Sequence, residues 1–232
     1  MSITENLKKI YNNIQDVCNN SGRDSQDVLL IAVTKTVGVE EMKEAIENGI
    51  LAVGENKPQE LKKKYEIIND KVRWHMIGSL QTNKVKYIID KVDMIHSLDR
   101  DSLCEEIQKR AESIDRYIDC LVQVNISRED SKHGLFIEDV LPFVENCSKK
   151  YDRINIKGLM TIAPADASRE EVRAIFKDLK NLSREISNKS LSNVEMKELS
   201  MGMSGDYDIA IEEGATMIRV GTSIFGERNY NL

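Results

Sequence analysis

Short apolar segments rich in β-branched residues alternate with longer charged segments along the whole of this 232-residue chain. Eight of the apolar segments predict β-strands, over residues 28–33, 50–53, 72–77, 94–97, 118–126, 154–162, 195–201 and 216–225. Several are apolar at nearly every position, which is typical of parallel strands buried on both faces. Helical patterns fill the intervals, over residues 39–48, 59–69, 83–90, 101–114, 136–150, 168–187 and 207–213, and a further helix is predicted at 4–19.

Eight βα units in one chain favour an α/β fold, a single (β/α)8 TIM-type barrel with an extra N-terminal helix. No segment rich in proline, glycine or serine divides the chain, so residues 1–232 are predicted to form a single domain. A doubly wound open sheet is the alternative, because alternation of strands and helices does not by itself establish closure. The dinucleotide-binding form of that alternative lacks a GxGxxG motif after the first strand.

Composition and charge argue against several function classes. The formal net charge of −6 disfavours a broad nucleic-acid interface, which requires a basic surface. No apolar segment approaches the ~18 residues that span a bilayer, and the N-terminus lacks the apolar stretch of a signal peptide, so we expect a cytoplasmic protein without membrane contact. Four cysteines without a CxxC pair and three scattered histidines predict neither a zinc site nor a disulfide framework.

Unusual polar residues stand at the predicted strand ends, where the βα loops of a barrel form its active face. Lys35 comes shortly after the apolar residues of the first strand. A lysine amine that emerges at the mouth of a barrel is partly desolvated, which favours its neutral form and lets it attack a carbonyl group. An ordinary surface lysine is the alternative interpretation of this position.

Two glycine-bearing segments indicate a phosphate site, and an ordinary tight turn is the alternative interpretation of each. They follow strands 7 and 8, whose loops commonly bind phosphate in such barrels, and they contain Ser204, which is also expected to cap the next helix, and Gly221 with Thr222. A carbonyl-seeking lysine beside a phosphate site suggests a phosphorylated aldehyde such as pyridoxal 5′-phosphate (PLP). Arg219, near the end of strand 8, would then face the pyridine nitrogen and weaken the cofactor as an electron sink. Pairing of Arg219 with a barrel carboxylate is the alternative.

The same segments resemble a known family over approximately residues 4–228. They read AVTKTV (32–37), VGEN (53–56), WHMIGSLQTNK (74–84), HSLDR (96–100), VNIS (124–127), SKHG (131–134), GLMTIAP (158–164) and LSMGMSGDYDIAIEEGATMIRVGTSIFGER (199–228). Together they are similar to the pyridoxal phosphate homeostasis proteins, which are fold-type III PLP-binding barrels related to the N-terminal domain of bacterial alanine racemase.

The resemblance implies a cofactor role for eight residues. It implies that Lys35 carries PLP as a Schiff base, and that Arg219 faces the pyridine nitrogen. It places Ser204, Gly221 and Thr222 at the phosphate, and Asn56, His75 and Met203 in the pocket around the ring. Lys57 and Pro58 stand where the family commonly has an aromatic residue, so this chain departs from the family pattern in that loop.

Family members are associated with buffering or delivery of PLP, so the resemblance implies a role in PLP homeostasis without robust catalysis, with apo PLP-dependent enzymes as candidate recipients. Fold-type III racemases add a β domain that supplies a catalytic tyrosine, and only residues 226–232 follow the eighth predicted strand, so we expect no such domain. A weak racemase-like PLP enzyme acting on small amino acids is one alternative. An aldolase-type barrel without cofactor, using Glu55 or His75 as acid or base, is another.

Three further expectations concern lysines and assembly. Lys132 lies in the loop after strand 5 and is a candidate second amine that receives or releases PLP, although a solvated loop lysine is the simpler interpretation. Lys62, Lys63 and Lys64 are expected to form a solvated helix face. The sequence leaves the oligomeric state open and is compatible with a monomer.

Overall fold

Eight parallel strands form a closed barrel in the computed structural model, which describes residues 2–129 and 133–226. Each strand pairs with the next along the chain, and the last pairs with the first in the register Leu29↔Met217 to Ala32↔Val220. The strands are β1 Leu29–Val33, β2 Ala52–Glu55, β3 Arg73–Met76, β4 Met94–Leu98, β5 Ile118–Gln123, β6 Ile154–Met160, β7 Val194–Ser200 and β8 Met217–Val220. Closure confirms the predicted (β/α)8 barrel and excludes the open sheet.

Helices lie between the strands and cover the outside of the barrel. They are α1 Ile3–Ser21, α2 Val39–Glu47, α3 Pro58–Ile68, α4 Asp101–Ser113, α5 Ile137–Lys150, α6 Arg169–Ser187, α7 Tyr207–Glu212 and α8 Thr222–Phe225. The interval between β3 and β4 holds a 3-10 helix, Thr82–Tyr87, where the sequence predicts an α-helix over 83–90. The predicted N-terminal helix is confirmed as α1, which begins at a capping box formed by Ser2 and Glu5.

Two apolar layers hold the fold together. The outward faces of the strands pack under the helices, where Trp74 and Phe176 are fully buried. A smaller cluster lies in the barrel interior and consists of Ile31, Ala52, Met94, Leu121, Met160 and Met217. This burial on both faces explains why the strands are apolar at nearly every position.

The eighth strand is shorter than predicted. The sequence predicts a strand over 216–225, but the strand ends at Val220 and the next residues form α8. The backbone at Gly221 leaves the extended conformation at ψ −72°, and its carbonyl accepts from the N–H groups of Ile224 and Phe225 at 2.9 and 3.0 Å. The β-branched composition misleads here because the chain has to turn outward over the top of the barrel.

The predicted solvated face of three lysines is wrong at one position. Lys62 and Lys63 are exposed on α3, whereas Lys64 is buried. Lys64 lies three residues after Leu61 and four before Ile68, both of them buried, so the helical repeat places it on the face that packs on the barrel.

Cys18, Cys104, Cys120 and Cys147 are free and buried. Within the described residues, no group of three or more metal-ligating side chains is found, and no helix is long and apolar enough to cross a membrane.

Candidate cofactor site

A cavity of about 320 Å³ opens at the carboxyl ends of the strands. Four of the eight predicted cofactor residues line it: Lys35 after β1, Asn56 after β2, Met203 after β7 and Arg219 on β8. Four segments that are distant in sequence therefore bring their predicted residues to one place, which is the active face expected of a parallel barrel.

Lys35 lies in a tight turn directly beyond β1. Thr36 has a φ of +63°, a left-handed conformation that is uncommon for a β-branched residue. The Thr36 hydroxyl donates to the Lys35 carbonyl at 2.6 Å, and the Val37 amide donates to the Thr34 carbonyl at 2.9 Å. No hydrogen bond or ion pair of the Lys35 amine itself is found within residues 2–129 and 133–226.

Arg219 is buried at the wall of the cavity. Its guanidinium donates to the Ser200 hydroxyl at 2.6 Å and to the Thr161 carbonyl at 2.8 Å. Burial lowers the pKa of Arg219 to about 10, an effect that the Asp206 carboxylate opposes. No carboxylate within ion-pair distance of Arg219 is found in the described part of the chain. Because a guanidinium has five N–H groups and no acceptor, Arg219 keeps donors for a ligand.

A chain of buried hydrogen bonds continues from Arg219 into the barrel. Ser200 Oγ lies 3.0 Å from His96 Nδ1, and His96 Nε2 lies 2.8 Å from His75 Nδ1. Arg219 can only donate, so Ser200 Oγ accepts from it, and the second lone pair and the proton of that hydroxyl both remain available to His96. The chain ends at His75 Nε2, an atom that is buried and has no partner among the described residues.

Both histidines are held neutral. Burial lowers the pKa of His75 to about 3, with a smaller contribution from the nearby Arg73 charge. Burial also lowers the pKa of His96 well below its ordinary value, and the neighbouring His75 and Arg219 add to that shift. Neither histidine is among the residues that line the cavity, so the structure places the predicted ring contact His75 deeper in the barrel, at the end of this chain of hydrogen bonds.

The predicted phosphate residues lie together at the rim of the barrel. The Ser223 amide donates to the Ser204 hydroxyl at 3.4 Å, which joins the loop after β7 to the loop that contains Gly221 and Thr222. The expected helix cap is wrong, because the N-cap residue of α7 is Asp206. Asp206 instead accepts from the Met203 amide at 2.5 Å and so fixes the loop that carries Met203 and Ser204.

Glycine at two positions permits the close packing of these loops. A Cβ on Gly78 would lie 2.5 Å from the Asn56 carbonyl oxygen, so only glycine lets the loops after β2 and β3 approach this closely. A Cβ on Gly202 would lie 2.5 Å from the Ala210 Cβ, and Gly202 has a φ of +89°. Gly78 itself lines the cavity, and Gly202 directly precedes the lining residue Met203, so both close contacts position the cavity wall.

Other lining residues were not predicted as cofactor contacts. The cavity wall also contains Gln123 and Asn125 at the end of β5, Ile77 and Ser79 after β3, and Ile162 and His133. The alternation along β5 could have indicated Gln123, because it is a polar residue at an inward position of an otherwise apolar strand. A second opening of about 610 Å³ shares Asn56, Ser79 and His133 with the cavity and adds Lys57, Lys84 and Arg100.

Glu55 does not serve the cavity as the aldolase alternative requires. Its carboxylate is fully buried and accepts from the Thr34 hydroxyl at 2.6 Å and from the Lys64 amine at 2.8 Å. It is not among the lining residues. Lys132, the candidate second amine, lies outside the described residues.

Comparison with known proteins identifies the family. The family model described as alanine racemase, N-terminal domain, matches residues 6–229. The pyridoxal phosphate homeostasis protein of Aquifex aeolicus is 42% identical over 231 residues, which cover 99% of this chain and 100% of the relative. This chain belongs to the pyridoxal phosphate homeostasis protein family.

Two solved structures place the family among related barrels. PipY of Synechococcus elongatus, a structure with PLP bound, superposes with a TM-score of 0.84 at 32% identity and covers 97% of this chain and 100% of that chain. An alanine racemase of Clostridium difficile shares the fold, with a TM-score of 0.74 at 16% identity over 98% of this chain and 58% of that one. The sequence resemblance to this family is thereby confirmed.

Proposed function

We propose that this protein binds PLP as a Schiff base on Lys35 and takes part in PLP homeostasis, by buffering the cofactor or delivering it to other proteins. The observation that carries the proposal is that Lys35 and Arg219 line one cavity at the carboxyl ends of the strands. The full-length similarity to pyridoxal phosphate homeostasis proteins and to a PLP-bound structure supports the same cofactor.

The residues at the site suit PLP. Lys35 is the amine that joins the aldehyde carbon, and Asn56 and Met203 bound the space for the ring beside it. Ser204, Gly221 and Thr222 are the proposed phosphate contacts, because the hydrogen bond from the Ser223 amide to Ser204 joins their two loops and the Ser204 and Thr222 hydroxyls can donate to an anion. His75 contributes through His96 and Ser200 rather than by contact. When bound, PLP supplies an aldehyde for reversible attachment and a conjugated ring that accepts electrons.

Arg219 supports a holding role over catalysis. A permanently charged donor at the pyridine nitrogen disfavours protonation of that nitrogen, and the unprotonated ring is a weaker electron sink. Ser200 and Thr161 fix the guanidinium from behind, so its orientation does not depend on a ligand. We propose accordingly that bonds to Lys35 form and break while bonds of a bound amino acid are rarely broken.

Attachment is tested with the Lys35→Ala variant. Purified wild-type protein mixed with PLP is expected to absorb visible light as a protonated Schiff base, and borohydride should fix one cofactor on the peptide that contains Lys35. Lys63→Ala is the matched control, because Lys63 is exposed on α3 and is not among the residues that line the cavity. The proposal fails if Lys35→Ala retains the full visible band or if mass spectrometry finds the cofactor on another lysine.

Delivery is tested by mixing holo-protein with an apo PLP-dependent enzyme. Recovery of that enzyme's activity, faster than by free PLP released at the same rate, would support delivery to such recipients, whereas recovery only at the rate of release would indicate buffering. We propose that this exchange takes place in the cytoplasm, with residues 1–232 acting as a single PLP-binding domain.

A weak PLP-dependent enzyme acting on small amino acids is the second candidate. It is favoured by His133, an imidazole that lines the same cavity as Lys35 and offers an acid or base in addition to the lysine. Sustained racemisation by wild-type protein, lost in Lys35→Ala and reduced in His133→Gln, would favour this function over holding.

A further inference from the structure

A buried lysine lies directly behind the turn that carries Lys35. Lys64 on α3 has a side chain that is 8% exposed. Its amine donates to Glu60 Oε1 at 2.6 Å, to Glu55 Oε1 at 2.8 Å and to the Thr34 carbonyl at 2.6 Å. These three bonds use all three donors of an ammonium group. We call Lys64, Glu55 and Glu60 the Lys64 cluster.

The Lys64 cluster grips the chain on both sides of Lys35. On one side, Glu55 accepts from the Thr34 hydroxyl at 2.6 Å, and the Thr34 carbonyl accepts from Lys64. On the other side, Glu60 accepts from the Thr36 amide at 2.7 Å. Thr34 and Thr36 are thus both hydrogen-bonded to the cluster, and Lys35 lies between them.

The backbone at Thr36 explains why such a grip is needed. Its φ of +63° is a conformation that a β-branched residue rarely adopts, and the surrounding structure has to hold it. The Thr36 amide is directed to Glu60 by this turn. If the turn relaxed to an ordinary extended conformation, Lys35 would leave the end of β1 in a different direction.

The charges of the cluster also depend on Lys64. One ammonium group pairs with two carboxylates, of which Glu55 is fully buried and has an oxygen, Oε2, with no partner among the described residues. Burial raises the pKa of Glu55, and the Lys64 charge opposes that shift. Removing the ammonium would leave the Glu55 carboxylate buried without a counter-ion behind the Lys35 turn.

We propose that the Lys64 cluster positions Lys35 for condensation with an aldehyde ligand, so that Lys64, Glu55 and Glu60 act as positioning residues for cofactor attachment. In that step the Lys35 nitrogen forms a bond to the aldehyde carbon, and the aldehyde oxygen leaves as water with the two amine protons. The inference rests on the proposed function, because it concerns the rate and geometry of attachment at Lys35.

The test compares Lys64→Met with Lys63→Met. Methionine removes the charge and approximately keeps the length, and Lys63 is the exposed neighbour on the same helix. We expect Lys64→Met to form the visible Schiff-base band about tenfold more slowly than wild type at equal PLP, because misplacing a reacting group by about 1 Å can cost two orders of magnitude. The circular dichroism of the bound cofactor should change as well, and Lys63→Met should match wild type in both measurements.

Binding of pyridoxine 5′-phosphate separates positioning from loss of structure. This analogue carries an alcohol in place of the aldehyde and cannot condense with an amine, so its affinity reports only on the cavity. We expect Lys64→Met to bind it as wild type does. Equal weakening of analogue binding and of Schiff-base formation would mean that Lys64 merely supports the fold, and would overturn the proposal.

A rescue variant tests the role of the Thr36 turn. Asparagine adopts the left-handed conformation more readily than threonine, so Thr36→Asn in the Lys64→Met background should recover part of the lost rate. If Lys64→Met does not fold, Glu60→Ala with Glu66→Ala as its exposed control makes the same comparison, since Glu60 is partly exposed and holds the Thr36 amide. Wild-type rates and dichroism in both cluster variants would overturn the inference, and wild-type protein without a Schiff base on Lys35 would instead reject the proposed function.

Discussion

Individual residues differ in how far the sequence alone could predict their role. Lys35 and Arg219 follow from position, because each stands at an inward or terminal point of an apolar strand. The contact between His75 and His96 does not follow from the sequence, because it depends on the stagger of the neighbouring strands β3 and β4 and on the length of both side chains. The helical spacing of Lys64 from Leu61 and Ile68 indicates a buried position, whereas the charge of its side chain favours the prediction of an exposed one.

The two neutral histidines make stability depend on pH. The folded pKa of His75 is about 3, far below the ordinary value of 6.5, so the unfolded chain binds more protons than the folded chain between those values. The free energy of unfolding therefore falls as the pH decreases through that window. His75→Gln replaces the ring by an amide that has both a donor and an acceptor for His96, and the decrease should be shallower by about 1.4 kcal/mol per pH unit.

Urea denaturation between about pH 7 and about pH 4.5 measures this slope, and the difference between wild type and variant removes the contribution of the carboxylates. Equal slopes for wild type and His75→Gln would contradict a neutral, buried His75.

Ser200 links Arg219 to His96 in the buried chain of hydrogen bonds. Ser200→Ala would leave Arg219 without one acceptor and His96 Nδ1 without its partner, and unsatisfied buried groups cost about 1–3 kcal/mol each. We expect a lower free energy of unfolding and weaker PLP binding, measured by urea denaturation and by absorbance titration. Ser97→Ala is the comparison, because the Ser97 hydroxyl is buried but has no partner among the described residues. A Ser200→Ala protein as stable as Ser97→Ala would contradict this account.

At the scale of elements, periodicity predicted the helices well and failed where the chain has to turn. The pattern of apolar residues over 168–187 matches α6, which begins at Ser168 with a capping box to Glu171. Residues 222–225 read as strand by composition and form a helix, because the hydrogen bonds to the Gly221 carbonyl depend on the position of the barrel rim and not on local propensity.

The junction of α1 with the last βα unit gives an element-scale prediction. Arg23, just after α1, donates to the Ile211 carbonyl at 2.6 Å and to the Ala215 carbonyl at 2.8 Å, and so ties α1 to the segment that leads from α7 into β8. Arg23→Ala should lower the free energy of unfolding by about 1.5–3 kcal/mol, because each lost bond has a charged donor. Lys8→Ala, on the exposed side of α1, should have little effect in the same urea experiment.

At the scale of the whole molecule, the count of eight βα units predicted the barrel, and closure placed all strand ends at one face. The net charge of −6 would repel a phosphorylated ligand, yet the opening beside the cavity contains Lys57, Lys84 and Arg100 against one carboxylate, Asp99, which pairs with Arg100. The sequence could not predict this local excess of positive charge, because the three residues come from three different loops that only closure of the barrel brings together.

This local charge predicts how association depends on salt. The double variant Lys57→Ala/Lys84→Ala should bind PLP several times more slowly than wild type at low ionic strength, and the difference should vanish at high ionic strength, where exposed charges are screened. Stopped-flow absorbance measures both rates. Lys71→Ala/Lys189→Ala removes two exposed lysines that lie next to the starts of β3 and β7, at the other end of the barrel, and should behave as wild type. A rate difference that persists at high salt would contradict electrostatic attraction.

The chain of hydrogen bonds from Arg219 to His75 ends inside the barrel, at a buried ring nitrogen without a partner among the described residues. A proton passed from the cavity along this chain would leave an imidazolium ion on His75 or His96, and burial lowers the pKa of both rings. We therefore expect protons exchanged by a group in the cavity to enter and leave through its mouth.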